Sequence, residues 1–311
     1  MAEIEISEIN GLAIKDPFVL VKTSEERYKN FTDEIATRVA ENENIRVVLL
    51  AGPSGSGKTT TANMLADRLR EKGLGSLVIS LDDFYRDATD PAYPRLESGE
   101  RDFETVEALN LPELEKTLLA ISRGEEFSVP KYDFKVGGRT SVKKHPKISH
   151  GCVIIEGLHA LNPKISEQLP AERVFKIFIS VSTNINLNGQ RILSGRKLRF
   201  ARRMVRDSLY RGADARKTLE LWENVLLGED KYLYPYRSLA DAEFNTFHAF
   251  EPGVMRKYAE DLISDELAAE SEYAETVISA LRLAEPVDED LIPDDSLIRE
   301  FIVGGIYEEF Y

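Results

Sequence analysis

The sequence is poor in cysteine, histidine and tryptophan: Cys152 and Trp222 are single, and there are four histidines. One thiol cannot close an internal disulfide, so the chain fits a reducing compartment. Cys152 lies in the apolar run CVIIEG, where a buried structural thiol is expected. His145, His150, His159 and His248 lack metal-ligand spacing and read as structural, with His159 of interest for its closeness to Glu156. Trp222 reads as core. No run approaches the roughly 18 apolar residues of a membrane span. The acidic start MAEIEISEIN holds no signal-peptide apolar region, so the cytoplasm is the expected location and no membrane partner is expected. Positive charge is scarce too. Forty Lys and Arg against 54 Asp and Glu leave a net charge of −14. That balance argues against broad nucleic-acid binding, so an anionic ligand must be met by a local basic site.

What remains is a globular composition, 42% hydrophobic and 30% charged over 311 residues, enough for one large domain or two modest ones. Five apolar runs read as strands: IRVVLLAG, SLVISLDD, CVIIEGLHAL, FKIFISVS and AEFNTF. The first four are near-continuous, the mark of strands covered on both faces. Helical patterns alternate with them, which argues for an α/β fold with a parallel sheet. Residues 1–22 read as a small extended element. A helix is predicted over 23–42 from Thr23 and Glu26 at capping-box spacing and the period of Phe31, Ile35 and Val39. The segments EEFSVPKYDF and GRTSVKKHPKI read as a hairpin, 190–228 as mostly helical, and the acidic stretch EPVDEDLIPDD as a solvated linker. The chain divides into an N-terminal extension (1–44), a main domain (45–270) with an insertion at about 84–148, and an acidic helical tail (271–311) whose helices serve packing or a homo-oligomer surface.

Three features carry chemistry. Gly52, Gly57, Lys58 and Thr59, in GPSGSGKTT, fit G-x-x-x-x-G-K-[ST] between a buried strand and a helix. Such a loop curls so that its amides, here those of Ser54, Gly55, Ser56, Gly57 and Thr60 among them, face phosphate oxygens. The helix adds its positive end, Lys58 reaches the β- and γ-phosphates, and the Thr59 hydroxyl suits Mg²⁺. No N-K-x-D or D-x-x-G segment accompanies it, which disfavours a GTP switch. Second, Asp82, Asp83 and Glu156 stand at strand ends, where open α/β sheets bind ligands. One of them can activate a hydroxyl and others can hold Mg²⁺. If the strand runs on, Asp82 and Asp83 point to opposite sides. Third, Arg199, Arg202, Arg203 and Arg206 fall on one helix face, with Arg211 beyond. Like charges on one face require anions: phosphates would serve beside the loop, and a salt-bridged face, for example Arg203 with Asp207, is the alternative.

These motifs, with RDFETVEALN, VPKYDFKVGGR, RFARRMVRDSLYRG and YPYRSLADAEFN, resemble the uridine kinase and phosphoribulokinase family of P-loop kinases over roughly residues 45–270. The nearest resemblance is to bacterial uridine kinase-like nucleoside kinases. The resemblance implies a P-loop NTPase fold with a doubly wound parallel sheet, a small substrate-covering insertion and an arginine lid at about 190–228. It implies ATP and Mg²⁺, and a small-molecule acceptor whose 5′-hydroxyl loses its proton to Asp82. It puts Thr59, Asp82 and Glu156 at the metal, and Arg202 and Arg203 with Lys58 at the transferring group. Arg199 and Arg206 join the ATP contacts. Asp83, Tyr85, Phe103, Asp102 or Glu104, Tyr132 and Arg139 fall to the acceptor, with Phe84 also a candidate for stacking on a base. Gly137 stands where pyrimidine kinases carry a base-reading histidine, and Ala213 ends the R-G-R of the lid. The acceptor class therefore stays open between a nucleoside and a non-nucleoside such as a sugar phosphate, pantothenate or glycerate, and a nucleotide-binding regulator without turnover is the rival from another class.

Overall fold

The computed structural model describes residues 2–96, 98–134, 136–148 and 150–308. Lys135, within the VPKYDFKVGGR motif, and the last three residues of the tail lie outside them.

The chain begins with β1 (Ala2–Glu5), α1 (Ile6–Lys15) and α2 (Pro17–Ala40). It continues through β2 (Val47–Ala51), α3 (Lys58–Glu71) and β3 (Gly75–Ser80). The insertion follows, with α4 (Leu111–Arg123) and a hairpin of β4 (Phe127–Asp133) and β5 (Gly138–His145). Then come β6 (Gly151–Glu156), α5 (Pro163–Ser166), β7 (Val174–Ser180), β8 (Thr183–Leu187) and β9 (Gln190–Leu193). The remainder is α6 (Gly195–Arg211), α7 (Ala215–Tyr232), β10 (Ala242–Asn245), α8 (Glu251–Leu262), α9 (Asp265–Glu270) and α10 (Glu272–Arg282).

The five runs read as strands from the sequence form one sheet, ordered β10-β7-β2-β6-β3 and parallel throughout. Alternation along β2 explains why it is apolar at every position. Val47, Leu49 and Ala51 pack with Leu114 and Leu118 of α4, whereas Val48 and Leu50 pack with Leu65 and Leu69 of α3 and Val39 of α2. Burying each such Val or Leu is worth roughly 1.5–3 kcal/mol. Cys152 is buried in β6, as its apolar setting suggested. A third core gathers α1, α6, α8 and α10 around Phe200, Met204, Trp222 and Phe301.

Three sequence expectations fail. Residues 1–22 are mainly helical, and β1 is a four-residue strand that joins β8 and β9 in a separate sheet. The second helix starts at Pro17, not Thr23. Asp16 is its cap, accepting from the Val19 amide at 3.1 Å, and the Thr23 hydroxyl donates back to the Val19 carbonyl at 2.8 Å. Proline at the helix start is favoured because its missing N–H has no helical partner to lose. The arginine-rich segment 190–228 is mostly helical as expected, after the short β9. Finally, EPVDEDLIPDD is no free linker. Val287 and Ile292 are buried in the third core, and the tail beyond Arg282 packs as short 3₁₀ turns rather than helices.

Candidate active site

The phosphate loop leaves β2 at its carboxyl end, between the ends of β6 and β7. Gly52 follows the strand, Ser54 and Gly55 lie under α6, and Gly57 caps α3. Two positions demand glycine. Gly55 has φ +72° and a Cβ there would sit 2.7 Å from the Arg199 carbonyl; Gly57 has φ +86°. Lys58 and Thr59 begin the helix and stay half-buried. Lys58 donates to the Pro53 carbonyl at 3.2 Å. The Ser56 hydroxyl is buried with no partner among the described residues, which suits an anion entering the loop.

The strand beside it does not run on to Asp83. It ends at Ser80 and turns into a 3₁₀ turn, Leu81–Phe84, with the Asp82 amide donating to Ser80 Oγ at 3.3 Å. This turn, rather than strand alternation, separates the two aspartates. Asp82 stays in touch with cleft solvent. Partial loss of hydration in the cleft raises its pKa, against the pull of Lys58 and Arg211. Asp83 is half-buried against the hairpin, accepting from the Tyr132 amide at 3.3 Å and pairing with Lys131 at 3.2 Å. Glu156 ends β6 and is buried. Burial pushes it up to about 7, with Lys58 opposing and Asp82 adding to the rise.

Two carboxylates that resist ionisation beside one ammonium fit a hard divalent cation. Thr59, Asp82 and Glu156 supply oxygen donors of the kind Mg²⁺ prefers. Among the described residues no three acidic, imidazole or thiol groups form a complete cage, so phosphate and water would fill the remaining positions.

The insertion covers this floor with aromatics. Tyr85 lies 6.3 Å from Phe103, 5.8 Å from Tyr132 and 5.3 Å from Phe134, centroid to centroid. The Tyr85 hydroxyl donates to the Phe103 carbonyl at 2.8 Å. Phe84, a candidate for stacking on a base, instead fills the sheet core. Glu104 is pushed up to about 7 by burial, opposed by Arg203. Arg139 pairs with Glu113 of α4, and its amide donates to Asp87 at 2.8 Å, so its guanidinium is held by the insertion itself. Gly137 has φ +71°, and its carbonyl accepts from the Ala88 amide at 2.8 Å. His159 is buried and pushed down to about 4, hence neutral, against Tyr232.

The arginine face divides into a buried pair and a half-buried pair. Arg199 and Arg202 are 0% exposed. Arg199 makes two 2.8 Å bonds to Glu229 of α7, and Arg202 bonds Glu251 of α8 at 2.6 and 2.9 Å. Both also donate to loop carbonyls, Arg199 to Ser54 at 2.7 Å and Arg202 to Gly55 at 3.2 Å. They brace the loop from behind and do not face the cleft as ATP ligands. Their helix is packed into the third core through Leu198, Phe200, Ala201, Met204 and Val205. Arg203 and Arg206 are the half-buried members. Arg203 donates to the Ser54 hydroxyl at 3.0 Å, and both pair with Asp207. Arg206 and Arg211 act on the charge of Asp82. Sequence reasoning missed Glu229, Glu251 and Glu300. Glu229 also accepts from the Ser54 amide at 2.9 Å, and Glu300 accepts from Thr60. The unpaired look of the arginine face was the only sign that such anions existed.

Known proteins align with this framework. The uridine kinase of Saccharomyces cerevisiae is 28% identical over 197 residues, 63% of this chain and 36% of that protein. The uridine kinase of Deinococcus deserti is 28% identical over 197 residues, 63% of this chain and 84% of that one. The chain thus spans little more than a third of the length of the yeast protein. A solved D-glycerate 3-kinase from Cryptococcus neoformans superposes with a TM-score of 0.43 at 17% identity, over 68% of this chain and 89% of that one. No described helix is long and apolar enough to cross a membrane. The family profile "Phosphoribulokinase / Uridine kinase family" matches residues 47–250, from β2 to the residue before α8, and on that match the chain belongs to this family.

Proposed function

We propose that the chain is an ATP-dependent phosphotransferase that moves the γ-phosphoryl group to a small-molecule hydroxyl, the 5′-hydroxyl of a uridine- or cytidine-like nucleoside. The observation that carries this reading is Asp82: a carboxylate open to the cleft, within the electrostatic reach of Lys58, under an aromatic-lined insertion. The loop amides and Lys58 hold the phosphates at the positive end of α3. Asp82, its pKa raised by partial loss of hydration, accepts the proton of the acceptor hydroxyl. Thr59, Asp82 and Glu156 would hold Mg²⁺, which would supply neutralisation of the phosphate charge. Arg203, Arg206 and Arg211 stabilise charge that develops on the transferring group. Arg199 and Arg202 fix the loop that aims the phosphate. Tyr85, Phe103 and Tyr132 offer faces for a base, and Glu104, close to neutral pH in its titration, can both donate to and accept from sugar hydroxyls. Asp83 and Arg139 serve the acceptor indirectly, by holding the hairpin.

The test is a panel of nucleosides and non-nucleoside alcohols with Mg-ATP, comparing wild type with Asp82→Asn. Nucleoside phosphorylation that drops by at least a hundredfold in the variant is expected. Transfer to a non-nucleoside alone would remove the nucleoside reading. No transfer to any acceptor by a chain that binds ATP would remove the kinase reading.

A further inference from the structure

None of this chemistry uses residues 288–308, yet they reach the phosphate loop. The segment crosses α2, α3 and α6 and buries Leu297, Ile298, Phe301 and Ile302 completely. It is tied down at several points. Lys29 pairs with Asp295 at 2.7 Å, Tyr210 donates to the Ile302 carbonyl at 2.9 Å, and Tyr307 donates to Asp67 at 2.7 Å. Arg299 donates to the carbonyls of Glu289, Ile292 and Val303 at 2.8–2.9 Å, which locks the segment onto itself.

Its side chains meet the loop at two places. Leu297 packs so closely on Gly57 that a Cβ there would lie 2.5 Å from Leu297 Cδ1. Glu300 Oε2 accepts from the Thr60 amide at 3.2 Å and from the Thr60 hydroxyl at 3.0 Å. Thr60 is the third residue of α3, so its amide is one of the first-turn donors that no helical carbonyl satisfies. In a phosphate loop those donors are the anion site. Glu300 Oε1 also lies 3.7 Å from Arg206, an arginine assigned to phosphate charge. A carboxylate of the chain itself therefore occupies two donors and approaches a cation that a nucleotide's phosphates would use.

We infer that the segment 296–302 is an internal plug: Glu300 stands in for a nucleotide phosphate at the Thr60 end of the loop, and nucleotide binding displaces it. The inference rests on the nucleotide reading of the loop. The anchors at Asp295 and Tyr307 lie on either side of Glu300, so its withdrawal shifts the 3₁₀ turn Leu297–Glu300 between them, with its buried Leu297 and Ile298. A bound phosphate and an ionised Glu300 repel each other within a few ångströms. The plug thus lowers affinity for every nucleotide that fills this end of the loop, whatever the acceptor.

Calorimetric titration of the full chain with Mg-ADP, wild type against Glu300→Gln, tests this directly. Glutamine keeps the size and an acceptor oxygen but not the charge, and an affinity gain of about tenfold is expected. Hydrogen exchange on the wild type gives a second readout that needs no variant: Mg-ADP should speed exchange at residues 297–302. Unchanged or weaker binding by Glu300→Gln, in a chain that melts like the wild type, overturns the plug, as does slower exchange at 297–302 on adding ADP. Those results leave the kinase reading intact if wild type binds ADP. If neither chain binds ADP at millimolar concentration, the nucleotide reading falls and the plug with it.

Discussion

Arg199 is where two accounts of the arginine helix diverge most sharply, and Arg199→Met separates them. The guanidinium makes two 2.8 Å bonds to Glu229 and one of 2.7 Å to the Ser54 carbonyl, at 0% exposure. Methionine fills similar space and removes all three. Glu229, also 0% exposed, would keep the Ser54 amide at 2.9 Å as its remaining partner, for a full negative charge. Removing one partner of such a pair costs about 3–5 kcal/mol. In a chain of this size each kcal/mol lowers the melting temperature by about 2 °C, so a fall of about 6–10 °C is expected. The double variant Arg199→Met, Glu229→Leu removes both charges and should recover most of the loss. Scanning fluorimetry or circular dichroism reads both. If Arg199→Met melts within about 1 °C of wild type yet loses turnover, the arginine serves a phosphate and the buried-pair account is wrong.

Three further perturbations follow from the same packing. Asp16→Ala should lower stability by about 1 kcal/mol by removing the cap of α2, with Thr23→Ala close to neutral; equal losses in thermal melts would restore Thr23 as the cap. Gly57→Ala forces a Cβ into the left-handed region and onto Leu297, at a backbone cost of about 1–2 kcal/mol. It should melt lower and lose ADP binding, and wild-type binding by calorimetry would count against the loop geometry. Glu25 is pushed up from 4.5 to about 7 by burial, against the Ser296 hydrogen bond and Lys29, with Asp295 adding to the rise. The folded chain therefore keeps a proton there that the unfolded chain releases, so stability falls as pH rises from about 4.5 to about 7, by about 3 kcal/mol. His248 Nε2, 3.8 Å from Glu25, is held neutral and gives the opposite slope below its ordinary range. The test is thus the difference between denaturation curves of wild type and Glu25→Gln across that window, and parallel curves would refute the shift.

Local pattern carried the sheet and the loop because both are written in neighbouring residues. β2 shows its two covered faces as VVLLA, and the loop shows its anion nest as glycines ahead of Lys58. The split between Asp82 and Asp83 was partly legible. That they must part was foreseen, but the agent is the 3₁₀ turn at Leu81 and the hold of the hairpin on Asp83, which pairs residues 49 positions apart. The start of α2 was misread for the same kind of reason. Thr23 and Glu26 have the spacing of a capping box, yet Asp16 and Pro17 supply a better start nearly two turns earlier. The apolar face of that earlier stretch, Leu20 and Val21, becomes visible as helical only against the third core.

The arginine helix shows the limit most clearly. A period of 3.6 residues says that Arg199, Arg202, Arg203 and Arg206 share a face, and electrostatics says that anions must meet it. Neither says whether those anions are ligand or protein. Burial decides. A guanidinium at 0% exposure with a bidentate carboxylate has its charge already balanced, and pulling it free toward phosphate would strand Glu229 or Glu251. Arg203 and Arg206, half-buried with Asp207 shared between them, have balance to spare for a ligand. The same criterion applied to Thr60 is what singles out Glu300. Among the described residues its carboxylate is the one protein anion that meets both a first-turn amide of the loop's helix and an arginine of the half-buried pair. The charge that a nucleotide would bring is in that sense already present in the folded chain, supplied from a segment more than 200 residues downstream of the loop it faces.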